Sequence, residues 1–148
     1  MDQTELTITL RNDRREIARL TSLLEEFCAR HGLNDDVRFD LNLVLDEAVS
    51  NVINHGFEDT RTHDIVVRIA RVGACLRLEV EDDGVPYNPL DAPQPRFDLP
   101  VEQRRIGGLG VHIMKTLAND LEYRRQDGRN HLIITLHVGD RRVGIGPS

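Results

Sequence analysis

The stretch LDEAVSNVINHG, residues 45–56, carries Glu47, Asn51, Asn54 and His55 along a single stripe of a predicted helix. Side chains three and four residues apart stack on successive helical turns, so these polar groups share one surface. Glu47 and Asn51 are one turn apart, about 5.4 Å along the axis, which lets a carboxylate and an amide oxygen face one bound group. Two further segments need explaining. EDDGVPYNP, residues 81–89, places an Asp-x-Gly turn after an alternating run, and GGLG, residues 107–110, opens another helical pattern. Taken singly, each has a bland reading: a helical glutamate is commonly solvated, an Asp-x-Gly is commonly only a turn, and glycines before a helix are commonly a tight connection. The dinucleotide-binding fingerprint fails, because no strand directly precedes the glycines and Ile113 stands at the third glycine position.

The elements that must position these groups follow from periodicity. ELTITL alternates as a strand, and Ile17, Leu20, Leu24 and Phe27 recur at helical spacing, with Asp13 and Glu16 as a capping box and His31-Gly32 as the stop. A second helix starts after Asn34, buries Val37, Leu41, Val44 or Leu45, Ala48 and Val52, and ends near Gly56. HDIVVRIARV and CLRLEVED read as a hairpin turning at Gly73-Ala74, and the last two strands join at Asp127-Gly128. Between them, residues 84–106 hold Pro86, Pro89, Pro93, Pro95 and Pro100, a composition and length that predict a lid. The order β, α, α, β, β, lid, α, β, β predicts an α+β two-layer sandwich, a mixed and mostly antiparallel sheet with helices on one face. One domain is expected over residues 1–140, with a frayed tail at 141–148.

Composition narrows the function. The 148 residues are 39% hydrophobic and 30% charged, with no apolar run near the ~18 residues that span a bilayer and no signal-like N-terminus, so a cytoplasmic protein without membrane contact is expected. A net charge of -6 argues against nucleic acid as a direct partner. Lys115 is the only lysine, and it lies outside any GxxxxGK[ST] motif, which excludes a P-loop. Cys28 and Cys75 lack CxxC spacing and read as buried reduced thiols, and the six histidines show no zinc-binding spacing.

In this order and spacing, the three segments resemble the N box and two glycine boxes of the Bergerat, or histidine-kinase-like, ATP-binding fold shared by gyrase, MutL, heat-shock chaperone ATPases and sensor histidine kinases. LDEAVSNVINHGF, VEDDGVPYNPL and GGLGVHIMKTLANDLEYRRQDGRNHL are further similar to the small stand-alone anti-sigma-factor serine/threonine kinases of bacterial partner switching, over residues 4–138. Pro86 stands where the wider superfamily has a glycine, a departure that the anti-sigma branch tolerates.

The resemblance implies ATP and Mg2+ as cofactors, Asn51 as the protein ligand of the metal, and Glu47 as the general base toward a serine or threonine hydroxyl. It implies that Asp82 accepts a hydrogen bond from the adenine amino group, which suits an acceptor-only carboxylate, and that Gly84 lets the backbone approach the base. Gly107, Gly108, Leu109 and Gly110 would offer backbone N–H groups to phosphate at a helix start. Arg105, with Arg104 as the alternative, would reach the γ-phosphate from the lid, and His55 would line or cap the pocket. The implied partners are a STAS-domain antagonist as substrate, a sigma factor, and a second copy of the chain paired through the first strand's edge. The alternative is a noncatalytic ATP-binding module that switches protein partners without phosphoryl transfer.

Overall fold

The computed structural model describes residues 3–91 and 106–138. Residues 92–105 of the expected lid, with Arg104 and Arg105, and the expected tail at 141–148 lie outside the described residues. In chain order the elements are β1 (Gln3–Arg11), α1 (Glu16–Arg30), α2 (Asp35–His55), β2 (Asp64–Val72), β3 (Cys75–Asp82), α3 (Ile106–Leu117), β4 (Asp120–Gln126) and β5 (Arg129–His137). A short 3-10 turn, Pro89–Asp91, follows β3.

The strands form one sheet in the order β1-β2-β3-β5-β4. All four pairings are antiparallel, which narrows the expected mixed sheet. Both hairpins turn where expected: Gly73 has φ 59°, while Asp127 and Gly128 have φ 54° and 74°, the paired positive values of a tight hairpin turn that favours Asp-Gly. Period-two alternation puts Ile65, Val67 and Ile69 of β2, Leu76, Leu78 and Val80 of β3, and Leu132, Ile134 and Leu136 of β5 on one face. Against it pack Leu20, Leu24 and Phe27 of α1, Leu41, Val44, Leu45 and Ala48 of α2, and Val111 and Met114 of α3. The other face is polar, with Arg68 Nη1 2.7 Å from Glu81 Oε1 and His131 Nδ1 2.8 Å from Glu79 Oε2.

Several local expectations change. Asp13 and Glu16 do not form a capping box. Asp13 Oδ1 accepts from the Arg15 N–H two residues on, and Glu16 Oε1 reaches back to the Arg11 N–H, so the side chains serve the turn before α1 and not its first orphan amides. Asn34 does cap α2, accepting from the Val37 N–H at 2.9 Å. Val49 is buried where Val52 was expected, and Cys75 is only half-buried because it begins a strand at the hairpin end.

The loop from α2 to β2 is clasped to the end of β3 by His63. Its ring stacks on Phe57 at 4.3 Å, Nε2 lies 2.8 Å from Asp59 Oδ1, and Nδ1 lies 3.0 Å from Asp83 Oδ1. Two acceptor-only carboxylates are both satisfied only by the doubly protonated ring. Accordingly Asp59, chiefly, raises the His63 pKa against the opposing pull of burial, and Asp59 itself is held at about 2. A raised histidine pKa contributes stability that is fully present below its unfolded value and lost as pH rises through its folded value. The melting-temperature difference between the parent and His63→Ala is therefore expected to be largest below the ordinary histidine pKa of about 6.5 and to shrink as pH rises above it, and a constant difference would count against the clasp.

Candidate functional site

Asp82 continues the inward phase of β3, so the row Leu76, Leu78, Val80 ends in a carboxylate on the helix side of the sheet. It is 3% exposed. Antiparallel register sets Asn130, the second residue of β5, directly beside it. Asn130 Nδ2 donates to Asp82 Oδ1 at 3.0 Å and to the Val85 carbonyl at 2.8 Å. The Gly84 N–H donates to the same carboxylate oxygen at 2.8 Å. Asn130 Oδ1 in turn accepts from the Tyr123 hydroxyl of β4 at 2.5 Å and from the Tyr87 N–H at 3.4 Å. Burial raises the Asp82 pKa, while the Asn130 and Gly84 hydrogen bonds oppose it. With Oδ1 taken by two donors, Oδ2 is the oxygen left for a ligand.

Gly84 ties this strand end to α2. A Cβ at position 84 would overlap the Gly56 carbonyl, and the Val85 N–H donates to that same oxygen at 2.7 Å. What its bare backbone approaches is thus the C-terminal cap of α2. Gly56 itself closes the helix with its N–H on the Val52 carbonyl at 2.8 Å.

The predicted stripe divides along α2. Asn51 is 6% exposed, and its Nδ2 has no hydrogen-bond partner among the described residues. Glu47, one turn earlier, is half-buried, with its pKa raised first by burial and then by Asp46. Asn54 is exposed and accepts from Arg14 Nη2 at 2.7 Å. His55 is exposed at the helix end and stacks on Tyr87 at 5.2 Å. Both positions fall in the last turn of α2, where the helix ends at Gly56.

Gly107, Gly108 and Leu109 lie in the opening turns of α3, which begins at Ile106. The first-turn N–H groups of a helix are the ones that an anion can meet. Gly110 is farther in, where the helix supplies Ile106 as acceptor, and its bare Cα faces Glu47. Lys115 of α3 donates to the Leu90 carbonyl at 3.2 Å, holding the Pro89–Asp91 turn beside the helix.

Ala48, Asn51, Asp82, Tyr87, Tyr123 and Asn130 surround a cavity of about 20 Å³, room for about one water. Among the described residues a larger depression, about 550 Å³, lies between α1 and α2 around Phe39 and holds none of the site residues. Sequence reasoning missed Asn130, Tyr123 and Tyr87. A signal for Asn130 existed in its phase with Leu132, Ile134 and Leu136, but only strand register shows that it faces Asp82.

An antiparallel sheet covered on one face, with an amide-bearing helix over a buried strand-end carboxylate, defines a class. The chain belongs to the family of the histidine kinase-like ATPase domain, matching it over residues 10–136. It is similar to the serine/threonine-protein kinase BtrW of Bordetella bronchiseptica, 31% identical over 114 residues, or 77% of this chain and 80% of that protein. It is also similar to the serine-protein kinase RsbW of Bacillus velezensis, 28% identical over 99% of this chain and 92% of that one. In fold it resembles the RsbU and RsbW domains of Rv1364c from Mycobacterium tuberculosis, with a TM-score of 0.65 at 20% identity over 90% of this chain, which spans only 32% of that longer protein. Among the described residues no helix is long and apolar enough to cross a membrane.

Because Asn130 supplies a hydrogen bond that lowers the Asp82 pKa, Asn130→Ala is expected to raise that pKa further, so protonation of Asp82 sets in at higher pH. Carboxylate titration by 13C NMR would check it, and an unchanged or lower value would contradict the assigned contact.

Proposed function

We propose that this protein is an ATP-dependent serine/threonine protein kinase acting as an anti-sigma factor, which phosphorylates a STAS-type antagonist and alternately sequesters a sigma factor. The observation that carries the reading is Asn51. It is a buried amide whose nitrogen has no partner among the described residues, one turn from Glu47 and beside the Asp82 cavity. The names of the two kinase relatives support the protein-kinase part, at coverage well above half of either chain.

The residues fit the groups that this activity needs. Asp82 Oδ2 accepts from the adenine amino group, and guanine, with a carbonyl there, is disfavoured. The first-turn amides of α3 at Gly107 and Gly108 face phosphate oxygens without a lysine. Asn51 would hold Mg2+ through its side-chain oxygen, and its unpaired nitrogen leaves the amide free to orient for that purpose. Bound magnesium supplies charge neutralisation on the phosphates. Glu47 accepts the proton of the substrate hydroxyl while its oxygen bonds the γ-phosphorus and the bond to the bridging oxygen of ADP breaks. A purine is far larger than the 20 Å³ cavity, so its entry displaces Tyr87 and Pro89, the residues just beyond Gly84.

The place of β1 at one edge of the sheet also supports a homodimer, with the Thr9 carbonyl and the Arg11 N–H of that edge already taken by Arg19 and Glu16. The noncatalytic alternative leaves a half-buried Glu47 without a purpose, because binding alone needs no base.

Glu47→Gln is expected to bind ATP as the parent does and to lose about 10²- to 10⁴-fold in phosphoryl transfer. Since burial raises the Glu47 pKa, the acid limb of the parent's rate should lie above the ordinary glutamate range. Full transfer by the variant would overturn the assignment of Glu47 as base, whereas no transfer by the parent would favour the noncatalytic alternative. Asp82→Asn is expected to weaken ATP binding by about 1–3 kcal/mol in calorimetric titration.

A further inference from the structure

Glu47 has no hydrogen-bond or ion-pair partner among the described residues, so no donor orients its carboxylate there. What limits it is α3. Gly110 is buried, and a Cβ built on it would collide with Glu47 Oε2, with the Glu47 Cδ at 3.0 Å and Oε1 at 3.6 Å. Neither helix can easily withdraw. Leu45, Ala48 and Val49 pin α2 around position 47, and Val111 and Met114 pin α3 around position 110. The group free to move is the carboxylate, the far end of a flexible side chain.

Glycine inside a helix weakens it relative to alanine, through the extra freedom of the unfolded chain. Gly110 lies within α3 and so carries that cost, and its φ is not in the left-handed region that would demand glycine. Its bare Cα therefore has another use. We propose that Gly110 is a positioning residue for phosphoryl transfer, a seat without a side chain that lets α3 close against the Glu47 carboxylate and hold it where the acceptor hydroxyl arrives. This rests on the reading of Glu47 as the base.

The test uses magnesium ATP, with water as the acceptor, on the full chain and on Gly110→Ala, Glu47→Asp, the double variant and Glu47→Gln. Gly110→Ala is expected to keep or raise the melting temperature and to leave the KM for ATP unchanged, while kcat falls about a hundredfold, the scale of a displacement near 1 Å. In the E47D background the shorter side chain leaves room for the methyl, so the same Gly110→Ala step is expected to cost less than about threefold. A 13C titration without nucleotide gives a readout besides activity. In Gly110→Ala the Glu47 pKa should fall toward its ordinary value as the carboxylate swings into water. An equal kcat loss in both backgrounds, or an unmoved Glu47 titration, overturns the seat even if Glu47→Gln is inactive. Full activity of Glu47→Gln removes the base and the proposal together.

Discussion

A carboxylate inside an apolar layer persists only where donors reach it, and the candidate site is organised around meeting that condition at Asp82. The donors come from Asn130, which strand register brings alongside, and from Gly84, two residues on. Each donor recruits more structure. Asn130 gathers Tyr123, Val85 and Tyr87, and the turn through Gly84 presses on the cap of α2. Satisfying one buried charge thus brings β3, β5, β4 and the C-terminal end of α2 together.

That junction sets where the rest of α2 lies. With Gly56 held against Gly84, Asn51 falls over the strand end beside Asp82, and Glu47 falls one turn farther along, beneath α3. Solvent exposure separates the two roles. Asn51 is buried, and its nitrogen has no partner among the described residues, whereas Glu47 is half-buried, enough for burial to raise its pKa.

Asp82 was singled out in the sequence by the resemblance, and the inward phase it shares with Leu76, Leu78 and Val80 is what the structure adds. Helical spacing is what grouped Glu47 with Asn51. His55 and Asn54 were grouped with them by spacing alone, yet they lie on the exposed side, since spacing does not say where a packed surface ends. Asp13 and Glu16 matched the capping-box pattern, but the competing turn hydrogen bonds to Arg15 and Arg11 took their side chains.

The sequence by itself determined the elements, their order, both hairpin turns and the face each strand buries, because these follow from period-two and 3.6-residue patterns and from residues such as Asp127-Gly128 that favour one turn. It also determined the three motifs and their resemblance. Only the tertiary structure decided the strand order that sets β5 beside β3, and with it the Asn130 contact to Asp82. It alone decided that Gly84 meets Gly56 and that Gly110 meets Glu47. Such contacts join residues dozens of positions apart, and local propensity carries no information about which distant backbone will come within van der Waals range.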